Sequence, residues 1–145
     1  MNRLEQIWIK RMKRGPMDPA PRARLKAGRG IVGNANQGGK RQVTILSRRQ
    51  WQEVTAGLAE PVDPQKRRAN LLVSDLDFTN SRGKILAIGS VRIRLVGETR
   101  PCEQMEAAAP GLQSAMSVPY GGGAFGEVLD DGEIAVGDEV AFVAE

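Results

Sequence analysis

The segment "GKILAIGSVRIRLVGE", residues 83–98, sets two β-like runs on either side of Gly89. In the second run Val91, Ile93 and Leu95 alternate with Arg92 and Arg94. That is the period-two pattern of a strand with one buried face and one basic face. Runs of the same kind recur in "EQIWIK" (Ile7, Ile9), "RQVTIL" (Val43, Ile45), "ANLLVSD" and the tail from Val140 to Val143. Many short strands without an alternating βαβ pattern or an internal repeat predict a mainly β fold. We expect a closed β-barrel of seven or eight short strands with one or two short helices.

Two segments depart from this period. Ser47 offers an N-cap with Gln50 completing a capping box, and Trp51, Val54 and Leu58 follow at helical spacing. An amphipathic helix over 48–58, packed on the sheet, is therefore predicted. "EQMEAAA" is helix-prone until Pro110 and Gly111 interrupt it, and "LQSAM" resumes it. Residues 13–40 read as long Gly-, Pro- and Arg-rich connections, with short strands around "ARLKAG" and "GIVG". "YGGGAFG" reads as a mobile lid or a permissive turn. In the tail, Asp131-Gly132 predicts a hairpin and Asp138 a turn before the last strand.

The chain has the length of one domain, expected over residues 1–145 with a core from about 7 to 143. No apolar run approaches the roughly 20 residues of a membrane span, and "IWI" near the N-terminus is too short for a signal-peptide core. A single cysteine makes an intrachain disulfide impossible, which points to a reducing, cytoplasmic setting. The absence of histidine removes Ser/His/Asp and Cys/His catalysis and most zinc sites. Charge is segregated: residues 1–49 hold 13 Lys and Arg against Glu5 and Asp18, whereas residues 101–145 hold nine acids and no Lys or Arg. Either the N-terminal part meets an anionic ligand, or the two parts complement each other within the fold.

Three stretches can carry chemistry. Cys102 follows Pro101, precedes a predicted helix and lies two residues from Arg100. A helix start and a nearby cation both lower a thiol's pKa and make its sulfur nucleophilic or a soft-metal ligand, although free cysteines are commonly inert and buried. "QKRRAN" brings Lys66, Arg67 and Arg68 to the start of a strand near Asn70. Its guanidinium forks can bind phosphate or carboxylate, or a solvated charge run can guard a sheet edge. "KAGRGIVGNANQGGKRQ" lacks the spacing of a phosphate-binding P-loop, although its glycines permit close backbone approach to an anion. Aromatic residues at 4% leave few platforms for base stacking, so nucleic acid is a disfavoured partner.

Taken in order, "AGRGIVGNANQGGKRQVTILSRRQW", "RRANLLVSDLDF", "GKILAIGSVRIRLVGETRPCEQM" and "GEVLDDGEIAVGDEV" resemble the segments of a MOSC domain, the C-terminal domain type of molybdenum cofactor sulfurases. The resemblance runs from about Ile7 to Val143 and implies a β-barrel with a cysteine at its functional centre. Cys102 matches that cysteine, and Arg68 with Asn70 matches the family's R-x-N pair on the cofactor side. Arg67 and Arg100 join them as cofactor-binding candidates. Two roles are implied for Cys102. It carries sulfane sulfur received from a pyridoxal-phosphate cysteine desulfurase, or it ligates molybdenum in the pterin cofactor (molybdopterin) and supports reduction of N-hydroxylated compounds. Asn34 departs from the family, standing where an acidic residue commonly follows the glycine. The chain is expected to act as a stand-alone module, so a reductase role needs a separate electron-transfer protein. The competing reading is a non-enzymatic basic β-barrel that binds nucleic acid or another anionic partner. A third is a family member that keeps the barrel and binds no cofactor.

Overall fold

The computed structural model describes residues 2–100 and 103–144, so Cys102 and Pro101 lie outside the described residues. In chain order the strands are β1 (Asn2–Lys10), β2 (Met17–Pro19), β3 (Arg22–Lys26), β4 (Gly30–Ile31), β5 (Val43–Ser47), β6 (Leu71–Val73), β7 (Ile85–Ile88), β8 (Val91–Glu98), β9 (Ala124–Val128), β10 (Gly132–Ala135) and β11 (Glu139–Val143). The helices are α1 (Arg48–Thr55), α2 (Glu103–Ala108) and α3 (Leu112–Ala115), with a 3-10 turn at Pro64–Arg67. The main sheet runs β11-β7-β8-β9-β5-β6-β1-β2, and β1 also pairs with β11. That pairing closes a seven-stranded barrel and leaves β2 outside it. A smaller sheet, β10-β3-β4, covers one side.

Alternation explains the barrel interior. Val91, Ile93 and Leu95 of β8 are buried while Arg92 and Arg94 point outward, and Val43 and Ile45 of β5 join Leu71 and Val73 of β6 in the same core. On one flank the outward face is buried too. Trp8, Leu46 and Leu72 project from β1, β5 and β6 into a second apolar cluster with Trp51, Met105, Leu112 and Met116. The helices therefore form a layer over that flank. The Ser47 hydroxyl caps α1 by accepting from the Gln50 N–H at 3.4 Å. The buried Trp51 indole donates to the Val62 carbonyl at 2.8 Å.

Three expectations are corrected or sharpened. Asp131-Gly132 is not the turn of a hairpin: β9 pairs with β5 and β8, whereas β10 pairs with β3. Asp130 and Asp131 instead turn the chain between sheets, Asp130 gripping Arg92 and Asp131 accepting from the Ala27 N–H. One βαβ unit is present, because β5 and β6 are parallel and joined through α1. A parallel pair needs such a crossover, and the helix supplies it. Lastly, of the lid and turn readings of the glycine run the turn holds: Gly121 and Gly122 lie in a turn, and both are buried with Gly123. A Cβ on Gly122 would collide with the Thr99 carbonyl, and one on Gly123 with that of Ile45.

Among the described residues no helix is long and apolar enough to cross a membrane.

Candidate functional site

β1 ends at Lys10, and the turn that follows passes through Arg14, whose φ of 63° is left-handed. Across from it, Asp63 caps the 3-10 turn by accepting from the Gln65 N–H at 2.8 Å. The turn ends on Arg68, also left-handed at φ 63°. This conformation costs an L-residue roughly 1–2 kcal/mol and is ordinarily left to glycine. Two arginines adopt it here, and both face the same cleft. The Arg68 guanidinium donates to the Gly15 carbonyl at 2.6 Å, tying the two turns together.

The inner cleft, about 240 Å³, is lined by Lys10, Asn34, Arg41, Thr44, Arg68 and Asn70 with Met17 and Asn36. Two lobes open from it. One is lined by Lys13, Lys40, Arg41 and the Ala35–Gly39 backbone. The other is lined by Lys13, Arg14, Arg68 and Gln104. Lys10 borders all three. Among the described residues six cations and no carboxylate line this space. Burial, and then the fields of Arg68, Arg41 and Lys13, push the Lys10 ammonium below its ordinary pKa. Uncompensated cations converging on a concave surface lower their mutual repulsion by binding an anion. Arg41 lies 5.9 Å from the Phe125 ring centroid, a cation–π contact at the cleft wall.

Asn70 forms part of the cleft floor, and its amide is fully engaged by the protein. Its NH2 group donates to the Trp8 carbonyl and to the Asn34 side-chain oxygen, each at 3.1 Å. Its oxygen accepts from the Thr44 N–H and hydroxyl, each at 3.2 Å. An amide offers two N–H donors and two lone pairs, so none remains for a ligand. Asn70 thus clasps β1, β5 and the Asn34 turn to the start of β6.

Arg67 lies elsewhere. It is 7% exposed and donates from Nε to the Gly122 carbonyl at 2.9 Å. Another guanidinium nitrogen stands 4.0 Å from the Met105 sulfur, so Arg67 pins the glycine run beneath α2. Arg100 is exposed. Cys102 lies outside the described residues, but Gln104, two residues further on, lines the third lobe. Among the described residues no group of three or more His, Cys, Asp or Glu gathers as a metal site.

Sequence reasoning singled out Arg68 and Asn70, marked Asn34 only as a departure from the family, and missed Lys10, Lys13, Arg14, Lys40, Arg41 and Thr44 as cleft residues. The basic N-terminal part was the available signal, but it did not separate cleft cations from the rest. Arg22 pairs with Glu133 at 3.2 Å and Arg49 with Glu53 at 3.1 Å, so charge complementarity accounts for some of the excess and the cleft for much of the remainder.

The sequence profile of the MOSC domain matches residues 32–141. Among solved structures, the YuaD protein of Bacillus subtilis is similar over 97% of this chain and 94% of its own, with a TM-score of 0.80 and 22% identity. YiiM from Geobacillus stearothermophilus is similar over 99% of this chain and 76% of its own, with a TM-score of 0.77 and 14% identity. YiiM from Escherichia coli is similar over 99% and 70%, with a TM-score of 0.72 and 16% identity. At these identities the likeness is one of fold. No curated protein matches the sequence.

Proposed function

The chain belongs to the MOSC domain family, and from that premise we propose that its cationic cleft holds the phosphate of a molybdenum cofactor while Cys102 supplies the reactive sulfur. The observation that carries this reading is the convergence of Lys10, Arg41 and Arg68 on one concave surface with no carboxylate among the described residues of its lining. These residues fit a phosphate-bearing group: guanidiniums grip phosphate oxygens in pairs, and Lys10 adds a point charge. Asn70 and Asn34 act as positioning residues that fix the strands from which these cations project.

Two chemistries share this arrangement. As a sulfur carrier, the Cys102 thiolate attacks the outer sulfur of a persulfide on a cysteine desulfurase. The donor's S–S bond breaks, its thiolate leaves, and the sulfur moves without net oxidation. As a metal ligand, Cys102 would hold molybdenum, and the cofactor would supply two-electron redox chemistry fed by a separate electron-transfer protein. In both, the cleft residues bind the anionic part of the ligand and orient it toward the thiol.

The test is metal and sulfur analysis of protein purified from cells with a full cofactor supply. Cys102→Ser should lose molybdenum or cyanide-releasable sulfur while keeping the wild-type unfolding midpoint, and Arg68→Gly should lose bound phosphate-bearing cofactor. Equal molybdenum and equal releasable sulfur in Cys102→Ser and wild type would refute the reading.

A further inference from the structure

The reading above uses only Asn34 and Arg41 of the loop between β4 and β5, "VGNANQGGKRQ", and leaves the rest of it without a role. It is an ordered structure. The Gln37 amide donates to the Ile31 carbonyl at 2.7 Å and to the Asn34 carbonyl at 2.9 Å. The Gly38 N–H donates to the Arg29 carbonyl at 2.7 Å, and the Ala35 N–H to the Lys10 carbonyl at 2.6 Å. From the far side the buried Gln42 amide donates to the Gly39 carbonyl at 2.8 Å. Gly38 and Gly39 are both left-handed, with φ of 71° and 66°, a backbone path that side-chain-bearing residues avoid. The path delivers Lys40 and Arg41 to the wall of a lobe that also contains Lys10 and Lys13.

The inner cleft does not use up this charge. A phosphate monoester carries about −1.5 to −2 at neutral pH, so one such group balances about two of the six cations along the cleft and its lobes. Arg41 borders both the inner cleft and the loop lobe, and Lys10 joins them. A ligand can therefore extend from one space to the other without leaving the positive field.

We infer that the Gly38–Arg41 loop is a second anion subsite, and that the ligand carries two phosphate groups in series, as a diphosphate or a diphosphate-linked extension does. This rests on the proposed phosphate-binding reading of the inner cleft and adds to it. Arg68 belongs to the first group's site, Lys40 to the second's, and Lys10 with Arg41 serves both. Because the loop is pinned by its own hydrogen bonds, the second subsite needs little ordering when it is filled.

Calorimetric titration of the full chain with inorganic orthophosphate and inorganic pyrophosphate, at one fixed ionic strength, tests this. The expected result is pyrophosphate binding about tenfold or more tighter than orthophosphate. Lys40→Gln should remove most of that preference and leave orthophosphate affinity unchanged. Lys84→Gln, whose ammonium lies over Phe142 and outside the cleft, should alter neither. Equal affinity for the two anions, or equal losses from Lys40→Gln and Lys84→Gln, overturns the second subsite. The inner cleft then stands alone if Arg68→Gly still weakens orthophosphate binding. If neither anion binds, or Arg68→Gly has no effect on either, both readings fall. Thermal unfolding of each variant separates lost binding from lost fold.

Discussion

The side-chain oxygen of Asn34 accepts the Asn70 amide at 3.1 Å, joining two buried residues 36 positions apart. The same oxygen accepts the Lys10 backbone N–H at 2.9 Å, so one atom fixes the end of β1 to the start of β6. Lys10, Arg68 and Asn34 are thereby held in one rigid frame. The polar network at the floor of the cleft is a structural device that supports the cations around it.

Removing the centre of this network should unfold more than it unbinds. Asn70→Ala strands the buried Trp8 carbonyl and takes the acceptor from the half-buried Thr44 hydroxyl, whose oxygen keeps its bond from the residue-70 backbone N–H. Leaving such groups unpaired costs about 1–3 kcal/mol each before relaxation. We expect a loss of roughly 2–4 kcal/mol in urea unfolding, with an unchanged slope. A variant of wild-type stability would show that the amide bonds contribute nothing.

Asn34→Asp keeps the acceptor oxygen and adds charge. A carboxylate there still receives the Lys10 and Asn70 N–H groups, so the unfolding midpoint should change little. Its negative charge beside Lys10 and Arg68 should weaken orthophosphate binding about tenfold, an effect that shrinks as salt screens it. Titration calorimetry at two salt concentrations reads both consequences.

Arg68→Gly separates the guanidinium from the backbone it sits on. Glycine adopts the left-handed φ of 63° without penalty, offsetting the lost bond to Gly15. Stability should stay within about 1 kcal/mol of wild type, while phosphate affinity falls about tenfold or more. A large drop in the unfolding midpoint would make Arg68 primarily a structural residue.

Lys10 sets a pH dependence with a definite sign. Its pKa is lowered in the folded state, first by burial and then by Arg68, Arg41 and Lys13. Between that lowered value and the ordinary value of 10.5 the unfolded chain binds more protons, so stability contributed by this residue rises with pH. Below the window the charged lysine is fully destabilising. Lys10→Met should therefore be more stable than wild type at pH 7, with the difference narrowing as the pH approaches 10. Orthophosphate should raise the Lys10 pKa, which an NMR titration of its ε-methylene detects.

Gly122→Ala tests the buried glycine run. The added Cβ meets the Thr99 carbonyl and crowds the Met116 methyl at 3.2 Å and Arg67 Nε at 3.3 Å. Overpacking of this kind costs about 1–3 kcal/mol, and here it also displaces the carbonyl that Arg67 holds. Thermal unfolding should show a clear decrease, and an unaltered midpoint would mean that the segment shifts freely.

How much of this was legible beforehand follows from the range of each interaction. The strand at 91–98, the Ser47 cap and the break at Pro110-Gly111 are local. Alternation, capping and a missing N–H act within a few residues, so the order of amino acids sufficed for them. The hairpin expected at Asp131-Gly132 failed because turn chemistry does not name a partner. β10 found β3, more than a hundred residues away, and Asp130 was drawn to Arg92. The glycine run could not be read as buried from its composition, since only the packed positions of Thr99, Ile45 and Arg67 exclude a Cβ there.

The sequence by itself determined that the chain is a barrel of short strands with a basic N-terminal part, and its ordered motifs marked the family. Tertiary structure alone decided which cations share a cleft, which are paired off with acids, and that the Asn70 amide faces the protein. The physical reason is distance: hydropathy and turn preferences are properties of neighbours along the chain. A cation's role depends on which charges closure of the barrel brings beside it.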